Sequence, residues 1–186
     1  MYDIICVTNR KLCREDFLTR MEKVTAMHPK AVILREKDLS EAEYTELAKQ
    51  VTEICKKNGV PCILHTFINA AVELGCDSIH LPLPLLRETS AEDKGKFRII
   101  GCSCHSPEEA REAVKLGATY ITAGHVFATD CKKGLPPRGL DFLREVCKAV
   151  EVPVYAIGGI SREKMPQVRE AGAAGGCIMS GLMANS

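Results

Sequence analysis

His125 stands in the string Gly124-His125-Val126-Phe127, and an imidazole there can carry a proton near neutral pH. A lone histidine is more often structural than catalytic, so its weight rests on where the fold puts it. The pairs Gly158-Gly159 and Ser180-Gly181 let backbone approach an anion closely, and amides at the start of a following helix can bind one. Taken alone, such glycines equally well make tight turns. Arg35 and Lys37 flank a single residue, so in an extended segment they point to the same side and can meet a carboxylate or phosphate. A solvated cluster with Glu36 and Asp38 is the commoner arrangement for such charges. In the polar loop around Lys132 and Lys133, one ammonium can fold over a ligand while the other stays solvated.

Further imidazoles follow. His65 and His80 end apolar runs and can line a mouth or pack there, His105 stands beside Ser106 where a local hydrogen bond accounts for it, and His28 precedes Pro29 in a surface turn. Cys131 has no base assignable from sequence and is not read as a nucleophile. The ten cysteines form no C-x-x-C pair and sit mostly in apolar segments such as GVPCIL and GGCIMS. They read as reduced core thiols of a cytoplasmic protein, without a zinc or disulfide framework.

The elements that must position these groups repeat one theme: a short β-branched run, a turn, an amphipathic helix. Strands are expected over 3–7, 31–34, 62–64, 78–80, 98–101, 120–123, 154–156 and 176–179. A capping box at Ser40 to Glu43 opens a helix that Gly59 stops, and Ser106-Pro107-Glu108-Glu109 opens one that stops at Gly117. Ser161 is expected to cap a third, ending near Gly172. Alternation argues for parallel βαβ units, and eight strands for closure into a (β/α)8 TIM barrel, one domain over residues 1–186. No G-x-G-x-x-G follows the first strand, which weakens a doubly wound sheet. In a barrel the loops after the strands form the site, and a phosphate between the loops after strands seven and eight is a recurring arrangement. The chain ends seven residues after Met179, so the eighth helix is expected to be short or missing, with self-association or a disordered tail at the seam beside strand one.

With these residues placed, a resemblance stands out. The segment GHVFATDCKKGLPPRGLDFL resembles the signature of the thiazole tautomerase (TenI-type) proteins of thiamin biosynthesis, and the likeness continues through AIGGI and MSGL. LREKDLS and IGCSCHSPEEA are similar both to the tautomerases and to their relative, thiamine-phosphate synthase. The likeness runs from Leu34 to Leu182. It implies a small phosphorylated thiazole substrate, an isomerisation by proton transfer with His125 as carrier, and no redox cofactor or metal. The synthase would need magnesium, and its relatives carry an Asn-Asp pair after strand three and an Asp after an H-L-G-Q segment at strand four. Here those places read Leu64-His65-Thr66 and His80-Leu81-Pro82-Leu83-Pro84-Leu85, without the carboxylates that hard magnesium prefers. That puts the synthase second and a non-catalytic thiazole-phosphate binder third. His65 replaces a frequent Asn, a departure that alters substrate orientation or adds a second proton carrier.

Composition narrows the remaining classes. Hydrophobic residues make up 46%, charged residues 26%, and formal net charge is +1. No basic stripe or recognition-helix motif points to nucleic acid, no basic segment with a long apolar run marks a signal peptide, and no apolar window reaches the ~18 residues of a membrane span.

Overall fold

The computed structural model describes residues 3–184. Its eight parallel strands close into a barrel in sequence order: β1 (Asp3–Val7), β2 (Ala31–Leu34), β3 (Cys62–His65), β4 (Ser78–Pro82), β5 (Ile99–Cys104), β6 (Tyr120–Ala123), β7 (Val154–Ala156) and β8 (Gly175–Ile178). The (β/α)8 expectation holds. Around the outside lie α1 (Phe17–Ala26), α2 (Glu41–Lys57), α3 (Ile68–Glu73), α4 (Leu83–Glu88), α5 (Ala91–Lys94), α6 (Pro107–Lys115), α7 (Gly139–Ala149), α8 (Met165–Glu170) and α9 (Ser180–Met183). No helix among the described residues is long and apolar enough to cross a membrane.

Local signals explain most helix starts. The Ser40 hydroxyl accepts from Glu43 N–H at 3.2 Å while the Glu43 carboxylate accepts from Ser40 N–H at 2.8 Å, the two bonds of a capping box. Ser106 accepts from Glu109 N–H with Pro107 in the first turn. The Ser161 expectation needs correction. Ser161 makes no cap bond to a backbone N–H, residues 162–164 form a 3-10 turn, and α8 begins at Met165. Pro166 sets this start: it lacks an N–H, so a helix begun at Ser161 would hold it in its interior, whereas here it occupies the first turn.

Strand ends also shift. β3 runs on to His65, β4 to Pro82 and β5 to Cys104, because parallel pairing persists to His65↔His80 and Pro82↔Ser103 at the mouth. β8 starts and ends one residue early.

Two layers of core hold the barrel. Helices pack on its outer wall through residues such as Met21, Tyr44, Leu86, Leu143 and Met165. Inside, Ile5, Val7, Ile33, Ile63, Tyr120, Tyr155 and Cys177 fill the lumen. Each large apolar side chain removed from water contributes roughly 1.5–3 kcal/mol. Tyr120 and Tyr155 meet edge to face with ring centroids 5.9 Å apart.

The seam beside β1 is covered. α9 has four residues, yet Leu182 and Met183 are buried, as are Ile4, Cys6 and Ile178. The exposed apolar wall expected from a short eighth helix is therefore absent among the described residues, and the self-association argument loses its premise. The last two residues, Asn185 and Ser186, where a tail was expected, lie outside the described residues.

Candidate active site

A cavity of about 460 Å³ opens at the C-terminal ends of the strands, where the barrel rule puts it. Arg35, Lys37, His65, His105, His125, Lys132, Gly158, Gly159 and Ser180 all line it, so one space gathers nearly every residue singled out in the sequence. Gly181 stands one position further on and is not part of the lining. Lys133 and His28 also lie outside it.

Alternation after β2 sorts the charges. Glu36 is buried and turns away from the cavity, accepting from Arg10 N–H at 2.8 Å and from its guanidinium at 3.1 Å. Asp38 takes both Arg10 terminal nitrogens at 2.7 Å, and this fork holds its carboxyl well below the usual range. Arg10 thus occupies both carboxylates. Arg35 and Lys37 face the mouth with no ion-pair partner among the described residues. Partial desolvation, then the charges of Arg35 and Lys132, lower the Lys37 pKa. Arg35, Lys37 and Lys132, none paired with a carboxylate among the described residues, make an anion-attracting rim.

On the opposite wall, Gly158 and Gly159 have φ of 97° and 64°, left-handed values that glycine adopts without strain. They also permit close packing. A Cβ on Gly158 would lie 2.6 Å from His125 Cα, and one on Gly159 2.8 Å from Phe127 Cβ. The Gly158 and Gly159 N–H groups donate to no protein acceptor among the described residues. Lys164, which sequence reasoning missed, donates to Gly159 C=O at 2.7 Å and lies 4.5 Å from the Phe127 ring centroid.

His125 is held by its backbone. Its C=O accepts from Arg138 N–H at 3.0 Å, Val126 N–H donates to Ile157 C=O at 2.9 Å, and Phe127 N–H to Gly158 C=O at 3.0 Å. The Gly124–His125 peptide is cis. The residue is 8% exposed, and its Nε2 is buried with no hydrogen-bond partner among the described residues.

The floor is a polar network that sequence could not assemble. His80 Nδ1 lies 2.8 Å from the Tyr120 hydroxyl and His80 Nε2 2.8 Å from Ser103 Oγ, which also accepts from Thr122 at 3.3 Å. Gly101 makes room, since a Cβ there would stand 2.5 Å from His80 Nδ1. Burial, then the charges of Arg35 and Lys37, push the His80 pKa down to about 3. For His65, burial leads and His80, Arg35 and Lys37 add, lowering it to about 2. Both imidazoles are neutral at ordinary pH.

The rim near β5 is more solvated. His105 is exposed, with Nδ1 3.3 Å from Glu109 Oε2, the local contact its position suggested. Arg87 lines the same side and grips Glu112 with two bonds of 2.6 and 2.9 Å. Cys131 lines the mouth and is exposed.

The model of the family described as thiamine monophosphate synthase, TMP-TENI, matches residues 4–182. The chain belongs to this family. It is 35% identical over 192 residues to a thiamine-phosphate synthase of Syntrophomonas wolfei, covering all of this chain and 90% of that protein. To a putative thiamine-phosphate synthase 2 of Aquifex aeolicus it is 36% identical, covering 92% of each. The solved thiamine phosphate pyrophosphorylase from Pyrococcus furiosus superposes with a TM-score of 0.84 at 26% identity, over all of this chain and 89% of that one. The thiamine-biosynthetic family expected from the GHVF segment is thereby established. The relatives' names specify the synthase and not the tautomerase that the segment suggested.

A synthase-type magnesium site does not fit the residues present. Thr66 hydroxyl, at one expected carboxylate place, is bonded to His65, and Leu85, at the other, packs against the core. The one carboxylate lining the cavity among the described residues is Glu109, already accepting from His105 N–H at 2.7 Å. The remaining lining side-chain donors are imidazoles, hydroxyls, thiols and cations, a poor set for a hard cation.

Proposed function

We propose that this family member is a thiazole tautomerase, an isomerase that aromatises a carboxylated thiazole phosphate tautomer. The observation that carries the reading is His125 Nε2, a buried imidazole nitrogen without a hydrogen-bond partner among the described residues, on a residue that lines a mouth shared with Arg35, Lys37, Lys132 and the Gly158-Gly159 loop. In this reading the substrate phosphate lies against the Gly158 and Gly159 N–H groups, with Ser180 opposite. The cations of Arg35, Lys37 and Lys132 neutralise the ligand's negative charge. His125 takes a proton from a ring carbon, the electron pair left behind completes the aromatic ring, and the exocyclic carbon gains a proton. One proton leaves and one arrives, so the step is an isomerisation. A positioned imidazole typically contributes about 10²–10⁴-fold to such transfers. The ten free cysteines suit a reducing compartment such as the cytoplasm.

The relatives' names favour a second reading, thiamine-phosphate synthase, which couples a pyrimidine pyrophosphate to thiazole phosphate. Thr66 and Leu85 weigh against it. Supplying the purified chain with the thiazole tautomer, and separately with both synthase substrates with and without magnesium, decides between them. Tautomer conversion supports the isomerase, magnesium-dependent coupling the synthase, and tight binding without either reaction a non-catalytic ligand protein.

A further inference from the structure

His65 is an imidazole whose every feature but one is fixed. It ends β3 in register with His80, and the two rings stack with centroids 5.4 Å apart and 14° between planes. His65 N–H donates to the Tyr44 hydroxyl at 2.9 Å, which itself donates to Leu34 C=O at 2.7 Å. His80 cannot serve a ligand, because both its ring nitrogens are taken by Tyr120 and Ser103. His65 has Nδ1 2.8 Å from Thr66 Oγ1, while its Nε2 has no protein partner among the described residues, and the residue lines the cavity. The next residue is unusual: Thr66 has φ of 72°, a left-handed conformation that β-branched residues rarely adopt. This conformation coincides with the hydroxyl's contact to His65 Nδ1. Strained backbone of this kind concentrates where a site must hold a group in place.

We infer that His65, oriented by Thr66, is a specificity-determining donor to a carboxylate on the end of the ligand away from the phosphate. β3 stands across the barrel from the glycine loop after β7, and Arg35 and Lys37 enter beside it from β2. An anion drawn there by two cations needs a donor, so Nε2 carries the hydrogen. Nδ1 is then an acceptor, and the Thr66 hydroxyl donates to it. Because His65 stays neutral beside two cations, it orients the carboxylate and does not shuttle the proton. The substrate class is thus a bis-anion, with a phosphate on one wall and a planar carboxylate on the other. This rests on the tautomerase reading above.

The experiment is calorimetric titration of wild type, His65→Leu and Thr66→Val with two ligands, thiazole carboxylate phosphate and the thiazole phosphate lacking the carboxylate. His65→Leu should lose on the order of 10-fold or more in affinity for the carboxylated ligand and under about 3-fold for the other, as expected for one bond to a charged group. Thr66→Val keeps the ring and the β-branched shape, and should lose affinity in the same selective direction but less. Wild-type binding with equal losses for both ligands, or with none, overturns the inference while leaving the function reading intact. Failure of wild type to bind either ligand overturns both.

Discussion

Gly158 lies directly against His125, so closely that a Cβ on the glycine would stand 2.6 Å from the histidine Cα. The Gly158-Gly159 loop and His125, the proposed anion-binding and proton-carrying parts of the site, are packed as one unit. Phe127 N–H to Gly158 C=O at 3.0 Å ties them further. Under the proposed function, a phosphate bound on one face would bear on imidazole position on the other.

Gly158→Ala tests that coupling. The methyl must displace His125, and φ of 97° strains any side chain there. Turnover should fall by about 10-fold or more through misplacement of the proton carrier. Steady-state kinetics should show kcat falling more than KM rises; an unchanged kcat would separate the loop from the imidazole. Gly159→Val, a natural choice for blocking an anion, is a poorer test, because its side chain would also overlap Phe127.

Lys164→Met removes the clamp between Gly159 C=O and the Phe127 ring while keeping an unbranched chain. Loss of the cation over the ring, together with the hydrogen bond, should cost about 1–2 kcal/mol of stability. Affinity for a phosphorylated thiazole should fall more than affinity for its dephosphorylated form. Denaturant unfolding and titration with both ligands measure the two effects.

Arg35→Met combined with Lys37→Met should reduce the salt dependence of ligand binding. The wild-type cations face the mouth with Glu36 and Asp38 already occupied by Arg10, so they act on the ligand with little internal cancellation. Affinity measured from low to high salt should fall steeply in wild type and less steeply in the double variant, which keeps Lys132. Equal slopes would put the ligand's charge elsewhere.

Acid should destabilise the fold through the mouth histidines. The folded pKa values of His65, about 2, and His80, about 3, lie below the ordinary 6.5, so the unfolded chain binds more protons at intermediate pH. Their contribution is complete above about pH 6.5 and is lost as pH falls toward about 3, by up to a few kcal/mol per histidine. His80→Gln should flatten the stability curve across that window in urea unfolding. A curve as steep as that of wild type would show that His80 does not carry the effect.

Chain-local chemistry was readable from sequence, and long-range pairing was not. The Ser40 and Ser106 caps act over three residues, and the order of strand ends placed His125, Arg35 and the glycine loop at one mouth. By contrast, Arg10 takes Glu36 and Asp38 from 26 and 28 residues away, and Tyr120 reaches His80 from 40. Nothing in the local pattern marks those partners. Pro166 was the signal that could have moved the start of α8, and the short α9 hid the fact that Leu182 and Met183 suffice to cover the seam.

His125 is the proposed proton carrier for a thiazole tautomer. The most direct test of that role is single-turnover conversion of the tautomer in deuterated water, with wild type and His125→Asn compared alongside ligand titrations. Wild type should form the aromatic product with deuterium at the exocyclic carbon. The variant should keep ligand affinity within a few-fold while its rate falls on the order of 100-fold or more. Absence of conversion by wild type, with magnesium-dependent formation of thiamine phosphate from the pyrimidine pyrophosphate and thiazole phosphate, would contradict the account and assign the chain to the synthase.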